Sequence, residues 1–170
     1  DERVGSTASF GPAFRIARRA GLVGVPHGGE LLGPSSVREV VSTLAPARLG
    51  HGVRTSEDPA LLRAVVDAGI ALEVCPTSNV HLGVYTDFSQ VPLPTLLSAG
   101  ARIALAADDP LLFRSRLVAQ YEVARDVFGL SDEALASLAQ SSIDASLASA
   151  SRKAAWKADI DVWLATEPAA

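Results

Sequence analysis

Three stretches of the chain repeat one order of residue types: a helical segment, a glycine and a short apolar run. They lie at residues 19–25, 67–74 and 98–105. In each, the glycine suits the left-handed position that ends a helix, and the run after it has the composition of a strand buried on both faces of a parallel sheet. The first of these strands is predicted at residues 22–26, and a fourth strand, without the helix-ending glycine, at residues 47–50.

The segments between these strands have the period of amphipathic helices, with apolar residues at i, i+3, i+4 and i+7. One helix is predicted to follow Pro34, a second to begin at Pro59 after the N-cap Asp58, and a third to begin at Ser131. The predicted buried faces are Val37, Val40, Val41 and Leu44; Leu61, Leu62, Val65 and Val66; Leu117, Tyr121, Ala124 and Phe128; Leu135, Leu138, Ile143 and Leu147; and Trp156, Ile160, Trp163 and Leu164.

Strands that alternate with helices about every 25 residues predict a parallel α/β fold with right-handed crossovers. Two architectures fit this alternation: an open doubly wound sheet, or part of a closed (β/α)8 barrel. A complete barrel usually needs about 250 residues, whereas the chain has 170. Because no linker or charge block divides the sequence, residues 1–170 are predicted to form one domain.

The composition of the chain disfavours or excludes several classes of function. The chain has a net charge of −4 and no cluster of Lys or Arg, so nucleic-acid binding is disfavoured. It has neither an apolar run long enough to span a membrane nor a signal peptide, which predicts a cytoplasmic protein without a membrane partner. The single cysteine, Cys75, excludes a disulfide or cysteine-rich metal scaffold. Because the chain has no methionine and opens on Asp1, it is expected to be a fragment.

Polar residues follow the predicted strands where each strand ends. His27, His51, Cys75 and the pair Asp108-Asp109 all have this position. Parallel α/β folds build their active sites at this edge of the sheet. Each residue also has a structural interpretation, since an aspartate before a proline can cap a helix and a lone cysteine is usually a small buried apolar residue. His81 lies outside the pattern and is expected at the surface or in a loop.

The chemistry available at this edge is metal-assisted hydrolysis. His27 and Asp108 offer nitrogen and oxygen ligands suited to zinc, but a catalytic zinc takes at least three protein ligands and a water. The remaining ligands must therefore come from outside the chain, or no zinc is bound. Glu30 is placed to donate or accept a proton near the metal, and His51 to take a proton from water.

Four motifs carry a resemblance to a known family. They are His-Gly-Gly-Glu at 27–30, Arg-Leu-Gly-His-Gly at 48–52, Glu-Val-Cys-Pro-Thr-Ser-Asn at 73–79 and Ala-Asp-Asp-Pro at 107–110. In this order and spacing they resemble the second half of the adenosine deaminase family. The resemblance implies the C-terminal half of a (β/α)8 barrel, strands 5–8 with their helices. It also implies one catalytic Zn²⁺ and the release of ammonia from C6 of an adenine nucleoside.

The resemblance also implies a role for each polar residue. His27 and Asp108 correspond to zinc ligands, and Glu30 to the residue that protonates the purine ring at N1. His51 corresponds to the histidine that orients and deprotonates the attacking water, and Asp109 to the residue that hydrogen-bonds purine N7. Two further zinc-binding histidines are expected from an N-terminal half of the same barrel, which this sequence lacks.

Two departures from the family pattern concern the substrate. Gly28 stands where the family usually has alanine, and residues 105–107 read Leu-Ala-Ala where Leu-Asn-Thr is common. Gly28 and Gly29, together with residues 31–34 and 108–113, resemble the branch that acts on 6-aminodeoxyfutalosine, an intermediate of menaquinone biosynthesis. That substrate is therefore predicted first and adenosine second, with Gly28 as a substrate-binding residue.

Two alternatives to this function remain open at this point, and a third is excluded. Adenine or AMP deaminases share the same chemistry, although no basic phosphate clamp for AMP is evident in the sequence. A catalytically inactive binding or structural half-barrel would use the acidic residues only as helix caps. A cytidine-deaminase zinc site is excluded, because it requires a Pro-Cys-x-x-Cys pair and this chain has one cysteine.

Overall fold

The computed structural model describes residues 2–166, whose centre is a sheet of four parallel strands. The strands are β1 (His27–Gly28), β2 (Arg48–His51), β3 (Ala71–Val74) and β4 (Ile103–Leu105). They are hydrogen-bonded in the order β1-β2-β3-β4, which is also their order along the chain. A doubly wound sheet reverses its strand order at a switch point. This sheet has no reversal among the described residues, so it fits a segment of a barrel.

Nine α-helices and two short 3-10 helices surround the sheet within the described residues. The α-helices are α1 (Thr7–Arg19), α2 (Pro34–Leu44), α3 (Pro59–Asp67), α4 (Pro76–His81), α5 (Leu93–Ser98), α6 (Pro110–Phe113), α7 (Leu117–Asp126), α8 (Asp132–Ala145) and α9 (Ala150–Ala165), and the 3-10 helices are Val53–Glu57 and Phe88–Gln90. Over residues 2–166, no helix has the length and apolar character needed to cross a membrane.

The main core lies between the sheet and its covering helices. Leu49 of β2 and Leu72 of β3 are fully buried, as is Val37 of α2. The helix α3 begins as the sequence predicts, because the carboxylate of Asp58 accepts hydrogen bonds from two backbone N–H groups of its first turn. These contacts fix the helices that follow β1 and β2, and with them the loops at the carboxyl ends of those strands.

The first strand lies later in the chain than predicted. The apolar run 22–26 is not a strand, and Leu22 and Val23 are 64% and 41% exposed. Among the described residues, β1 pairs with β2 alone, so this part of the chain lies at an edge of the sheet. Backbone N–H groups of the β2 region still donate to the carbonyls of Gly24 and Pro26. Consequently His27 lies within β1 rather than after it.

The last two helices bury less than their apolar patterns predict. Leu147 is 70% exposed because α8 ends at Ala145, before that residue is reached. The helix α9 has no buried residue, and Trp156 and Trp163 are 44% and 48% exposed. The helix α9 packs mainly on α8 and forms an outer layer, whereas α8 contacts the sheet at β4.

Candidate functional site

The carboxyl ends of the strands bring together three of the predicted site residues. His51 is the last residue of β2, Glu30 lies two residues after β1, and Asp108 lies three residues after β4. The imidazole Nδ1 of His51 is 3.4 Å from Glu30 Oε1, and its Nε2 is 3.8 Å from Asp108 Oδ2. His51 therefore stands between two carboxyl groups, one on each side of the ring.

Two of these residues have an uncommon backbone conformation. His51 has a φ of +62° and Asp108 a φ of +58°, both in the left-handed region that favours glycine. Non-glycine residues in that region are retained where the surrounding structure requires them, and they concentrate at functional sites. Of the four non-glycine residues with a positive φ among residues 2–166, these two lie at the polar edge, whereas Ala45 and Arg114 end helices α2 and α6.

The loop that carries Glu30 is fixed by a carboxylate from the start of the described chain. Glu2 accepts hydrogen bonds from the backbone N–H groups of Glu30, Leu31 and Leu32, at 3.2, 2.9 and 2.8 Å. Such a row of backbone N–H groups binds an anion well. Glu2 therefore holds the backbone of Glu30, a role that no pattern in the sequence indicates.

The carboxyl group of Glu30 is a strong candidate for a proton donor. Burial raises the pKa of Glu30 to about 7, and the negative charges of Asp108 and Glu2 act in the same direction. A hydrogen bond from the amide of Asn79 opposes this shift. A carboxyl group with a pKa near neutrality can hold a proton and release it at the pH where most enzymes work.

The raised pKa predicts how stability depends on pH in the metal-free chain. The folded chain keeps the proton on Glu30 between pH 4.5 and about pH 7, where the unfolded chain loses it. The associated stability is present below pH 4.5 and is lost as the pH rises through 7, by at most about 3 kcal/mol. Urea unfolding from pH 4 to 8 should show this loss for the wild type and its absence for Glu30→Gln. Parallel curves for the two proteins would contradict it.

His51 is suited to act as a neutral base. Burial lowers the pKa of His51, and the nearby imidazole of His27 lowers it further. The two rings are 5.1 Å apart between centroids. Gly50 makes this approach possible, because a Cβ atom there would lie 2.9 Å from Nδ1 of His27. His27 is exposed at this edge, whereas His51 is buried.

The two aspartates after β4 have different surroundings. Ser78 Oγ donates a hydrogen bond to Asp108 Oδ2 at 2.6 Å, which fixes the orientation of that carboxylate. Asp109 caps α6, with its Oδ1 accepting hydrogen bonds from the N–H groups of Leu111 and Leu112. Both cap bonds use one oxygen, so the contact with purine N7 stays a prediction for the other oxygen, Oδ2.

At this edge of the sheet, the histidine nitrogens and aspartate oxygens are better suited to bind zinc than the sulfur of Cys75. One ligand atom each from His51, Cys75 and Asp108 lie within 4.8 Å of one another. However, burial and neighbouring carboxylates raise the pKa of Cys75 to about 12, and a metal ligand must be the thiolate. Cys75 is buried, as expected of a small apolar residue. His27 and Asp108 remain the zinc ligands that the resemblance implies.

Gly28 does not face this cluster. A Cβ atom on Gly28 would lie 2.9 Å from Cγ2 of Val40 and 3.2 Å from Cδ1 of Leu49, within the layer between the sheet and α2. A side chain at position 28 would therefore press on the core and would not enter a substrate pocket. The geometry gives no support to the prediction that Gly28 admits a larger substrate, because its Cβ direction points away from the polar edge.

Two side chains of α4 belong to the site although sequence reasoning assigned them no role. Ser78 contacts Asp108, and Asn79 contacts both Glu30 and His51. The signal that could have identified them is their position, because they follow β3 as the other site residues follow their strands. His81, at the end of α4, is exposed and stacks on Phe113, with 6.0 Å between the ring centroids.

Comparisons with known proteins identify the family and the fold to which this chain is similar. The family model described as adenosine deaminase matches residues 1–163. A protein of Streptomyces virginiae, provisionally named an adenosine/adenine deaminase, is 54% identical over 164 residues. The match covers 96% of this chain and 48% of the relative. The chain therefore spans about half the length of that relative, as expected for half of a barrel.

Solved structures show the same fold over the same extent. The adenine deaminase of Arthrobacter aurescens superimposes with a TM-score of 0.93 at 31% identity, covering 98% of this chain and 51% of that protein. An amidohydrolase of Burkholderia ambifaria, solved with bound zinc, gives a TM-score of 0.82 at 26% identity, covering 91% of this chain and 44% of that protein. These matches confirm the predicted half of an α/β barrel.

Proposed function

We propose, because this chain belongs to the adenosine deaminase family, that it carries half of the active site of a hydrolytic deaminase of 6-aminopurines. In that reaction the oxygen of a water molecule bonds to C6 of the purine, the C6–N6 bond breaks and ammonia leaves. The observation that carries the proposal is the buried Glu30 carboxyl group, with a pKa of about 7, beside His51 and within the field of Asp108.

Glu30 acts as the proton donor in this scheme. Its protonated carboxyl group donates to N1 of the purine ring, which draws electrons away from C6 and favours the attack of water. A general acid works best when its pKa lies near the working pH. The pKa of Glu30, raised to about 7 by burial, meets that condition, whereas an exposed glutamate near 4.5 does not.

His51 accepts a proton from the attacking water. Its lowered pKa keeps the imidazole neutral near pH 7, so that a ring nitrogen has a free lone pair. The Nε2 atom faces Asp108 Oδ2 at 3.8 Å, which places the base beside the carboxylate that is assigned to the metal. Once protonated, the imidazolium is stabilised by that carboxylate.

His27 and Asp108 are the residues that would hold a zinc ion. Bound there, zinc would lower the pKa of a coordinated water. Two ligands are fewer than the three or more that a catalytic zinc takes from protein. We therefore assign the remaining ligands to a part of the protein outside this sequence, where the family resemblance implies two histidines.

Adenine is the substrate that the relatives favour. The structural neighbour from Arthrobacter aurescens is named an adenine deaminase, and the Streptomyces virginiae protein carries adenosine and adenine together in its name. The Cβ direction of Gly28 removes the structural reason for a larger substituent. We therefore propose adenine as the preferred substrate, ahead of both adenosine and 6-aminodeoxyfutalosine. The latter stays a prediction from sequence resemblance.

A substrate competition tests this proposal. The zinc-loaded protein that contains this chain is mixed with equal concentrations of adenine, adenosine, AMP and 6-aminodeoxyfutalosine, and mass spectrometry follows exchange of the amine for oxygen. We expect adenine to be consumed first, with kcat/KM at least about tenfold above the other three. Faster loss of 6-aminodeoxyfutalosine or adenosine would overturn the substrate assignment, and no conversion of any of the four would overturn the deaminase.

A further inference from the structure

Asn79 contacts both residues that take part in proton transfer in the proposed reaction, the donor Glu30 and the acceptor His51. Its Nδ2 atom is 3.4 Å from Glu30 Oε1 and 3.4 Å from His51 Nδ1. The Glu30 and His51 atoms are themselves 3.4 Å apart, so the three polar atoms form a nearly equilateral triangle. The triangle is buried, and the side chain of Asn79 has no exposed surface.

The backbone of Asn79 is held from several directions. Its N–H donates to the carbonyl of Cys75, and its carbonyl accepts from the N–H of Val84. The helix α4 is also tied to α7, since Thr77 and the buried side chain of Gln120 exchange two hydrogen bonds at 3.1 and 2.8 Å. The backbone from which the side chain of Asn79 extends is therefore fixed, and the amide can turn about its terminal torsion.

The other half of the same amide is unpaired. Within residues 2–166, Oδ1 of Asn79 is buried and accepts no hydrogen bond. A buried acceptor without a donor destabilises a fold by about 1–3 kcal/mol, so it calls for a reason. A half-turn of the amide exchanges Nδ2 and Oδ1, and it breaks no bond on the Oδ1 side because none exists there.

A proton donor needs a different partner before and after it acts. The protonated carboxyl of Glu30 offers an O–H, which a carbonyl oxygen accepts, whereas the carboxylate left after proton transfer accepts from an N–H. An amide is the side chain that offers both groups at nearly the same position. Aspartate offers only the acceptor, and leucine of similar shape offers neither.

We propose that Asn79 is a positioning residue of the deamination proposed above, on which this inference rests. Its side-chain amide partners the protonated form of Glu30 through Oδ1 and, after a half-turn, the ionised form through Nδ2. The proton itself passes from Glu30 to the purine ring, and Asn79 gains and loses none. The amide keeps Glu30 in one orientation beside His51 through both forms.

Three substitutions test the proposal in the zinc-loaded protein. Asn79→Asp removes the donor, Asn79→Leu removes both groups at similar volume, and Asn79→Ser keeps a hydroxyl that donates and accepts. We expect kcat to fall about tenfold to a hundredfold for Asp and Leu, with KM within about threefold of wild type. Asn79→Ser should retain more kcat than either of them. Gln90→Glu and Gln90→Leu make the same changes at an exposed amide and should leave activity unchanged.

The ranking of the variants separates positioning from packing. A packing role predicts that Leu, which fills the site, retains more kcat than Ser, and that order would overturn the proposal. Wild-type kcat in Asn79→Asp would show that the N–H is not used, and would also overturn it. Thermal unfolding and zinc content identify a variant that fails to fold. If Leu or Ser fails, kcat of Asn79→Asp still tests whether the N–H is used, and if Asp fails, the order of Leu and Ser remains. An active wild type with unaffected variants contradicts only this inference, whereas an inactive wild type removes the proposed function as well.

Discussion

Replacing Glu30 with glutamine is expected to lower kcat for purine deamination at least about a hundredfold, the lower end of what a general acid contributes. Glutamine has nearly the same shape and can still accept a hydrogen bond from Asn79, but it has no acidic proton for the purine ring. Steady-state kinetics with the preferred purine measure the loss. Because the substitution also removes a buried ionisable group, the thermal midpoint at pH 8 should not fall.

Glu39→Gln is the matched control for this experiment. Glu39 lies on the exposed side of α2, eleven residues from the end of β1, and it should tolerate the same change without loss of activity. Activity of Glu30→Gln within threefold of wild type would contradict the assigned role. It would mean that the proton reaches the purine from another group.

Replacing Asp108 with asparagine is expected to remove both metal and activity. Asparagine keeps the shape of the side chain and tolerates the left-handed backbone at position 108. It replaces an anionic ligand by a neutral amide, however, and a zinc site depends strongly on such a ligand. We expect bound zinc to fall to less than half of the wild-type content and kcat to fall by about a thousandfold or more.

Metal analysis and kinetics on the same preparation check this result. Asp67→Asn changes an exposed aspartate at the end of α3 and should retain both zinc and activity. An Asp108→Asn protein with wild-type zinc content would show that Asp108 is not a ligand. Full activity in that protein would contradict the site as a whole.

The sequence predicted the grouping of the site residues because parallel strands end at one edge of the sheet. Knowing that His51 and Asp108 follow different strands was enough to expect them near each other, and their side chains are 3.8 Å apart. The buried faces of α2 and α3 were likewise predictable, since periodicity identifies the stripe that meets the sheet. Leu44 and Leu62 are buried as this reasoning requires.

Contacts between distant parts of the chain were not predictable from one sequence. Asn79 meets Glu30 across 49 residues and His51 across 28, and no local pattern specifies where a side-chain amide will point. The same holds for Glu2, which binds a loop 28 residues later.

The strand predicted at residues 22–26 was wrong for a different reason. Residues 22–26 have the composition of a buried strand, but burial also depends on a neighbour on each side, and composition does not reveal whether one is present. For Gly28, the contact with substrate that its family motif implies stays a prediction. The direction of its Cβ, toward Val40 of the core, depends on three-dimensional packing and could not be predicted from the motif.

Transfer of isotopically labelled oxygen from water to the purine tests the hydrolytic deamination and the role of Glu30 together. The zinc-loaded wild-type protein and its Glu30→Gln variant are incubated with adenine in water enriched in ¹⁸O, while hypoxanthine and ammonia are quantified together. We expect the wild type to release one ammonia per hypoxanthine and to place one ¹⁸O atom from the enriched water in each hypoxanthine, and we expect the variant to make little of either product. Absence of both products from the wild type, or equal rates for the two proteins, would contradict it.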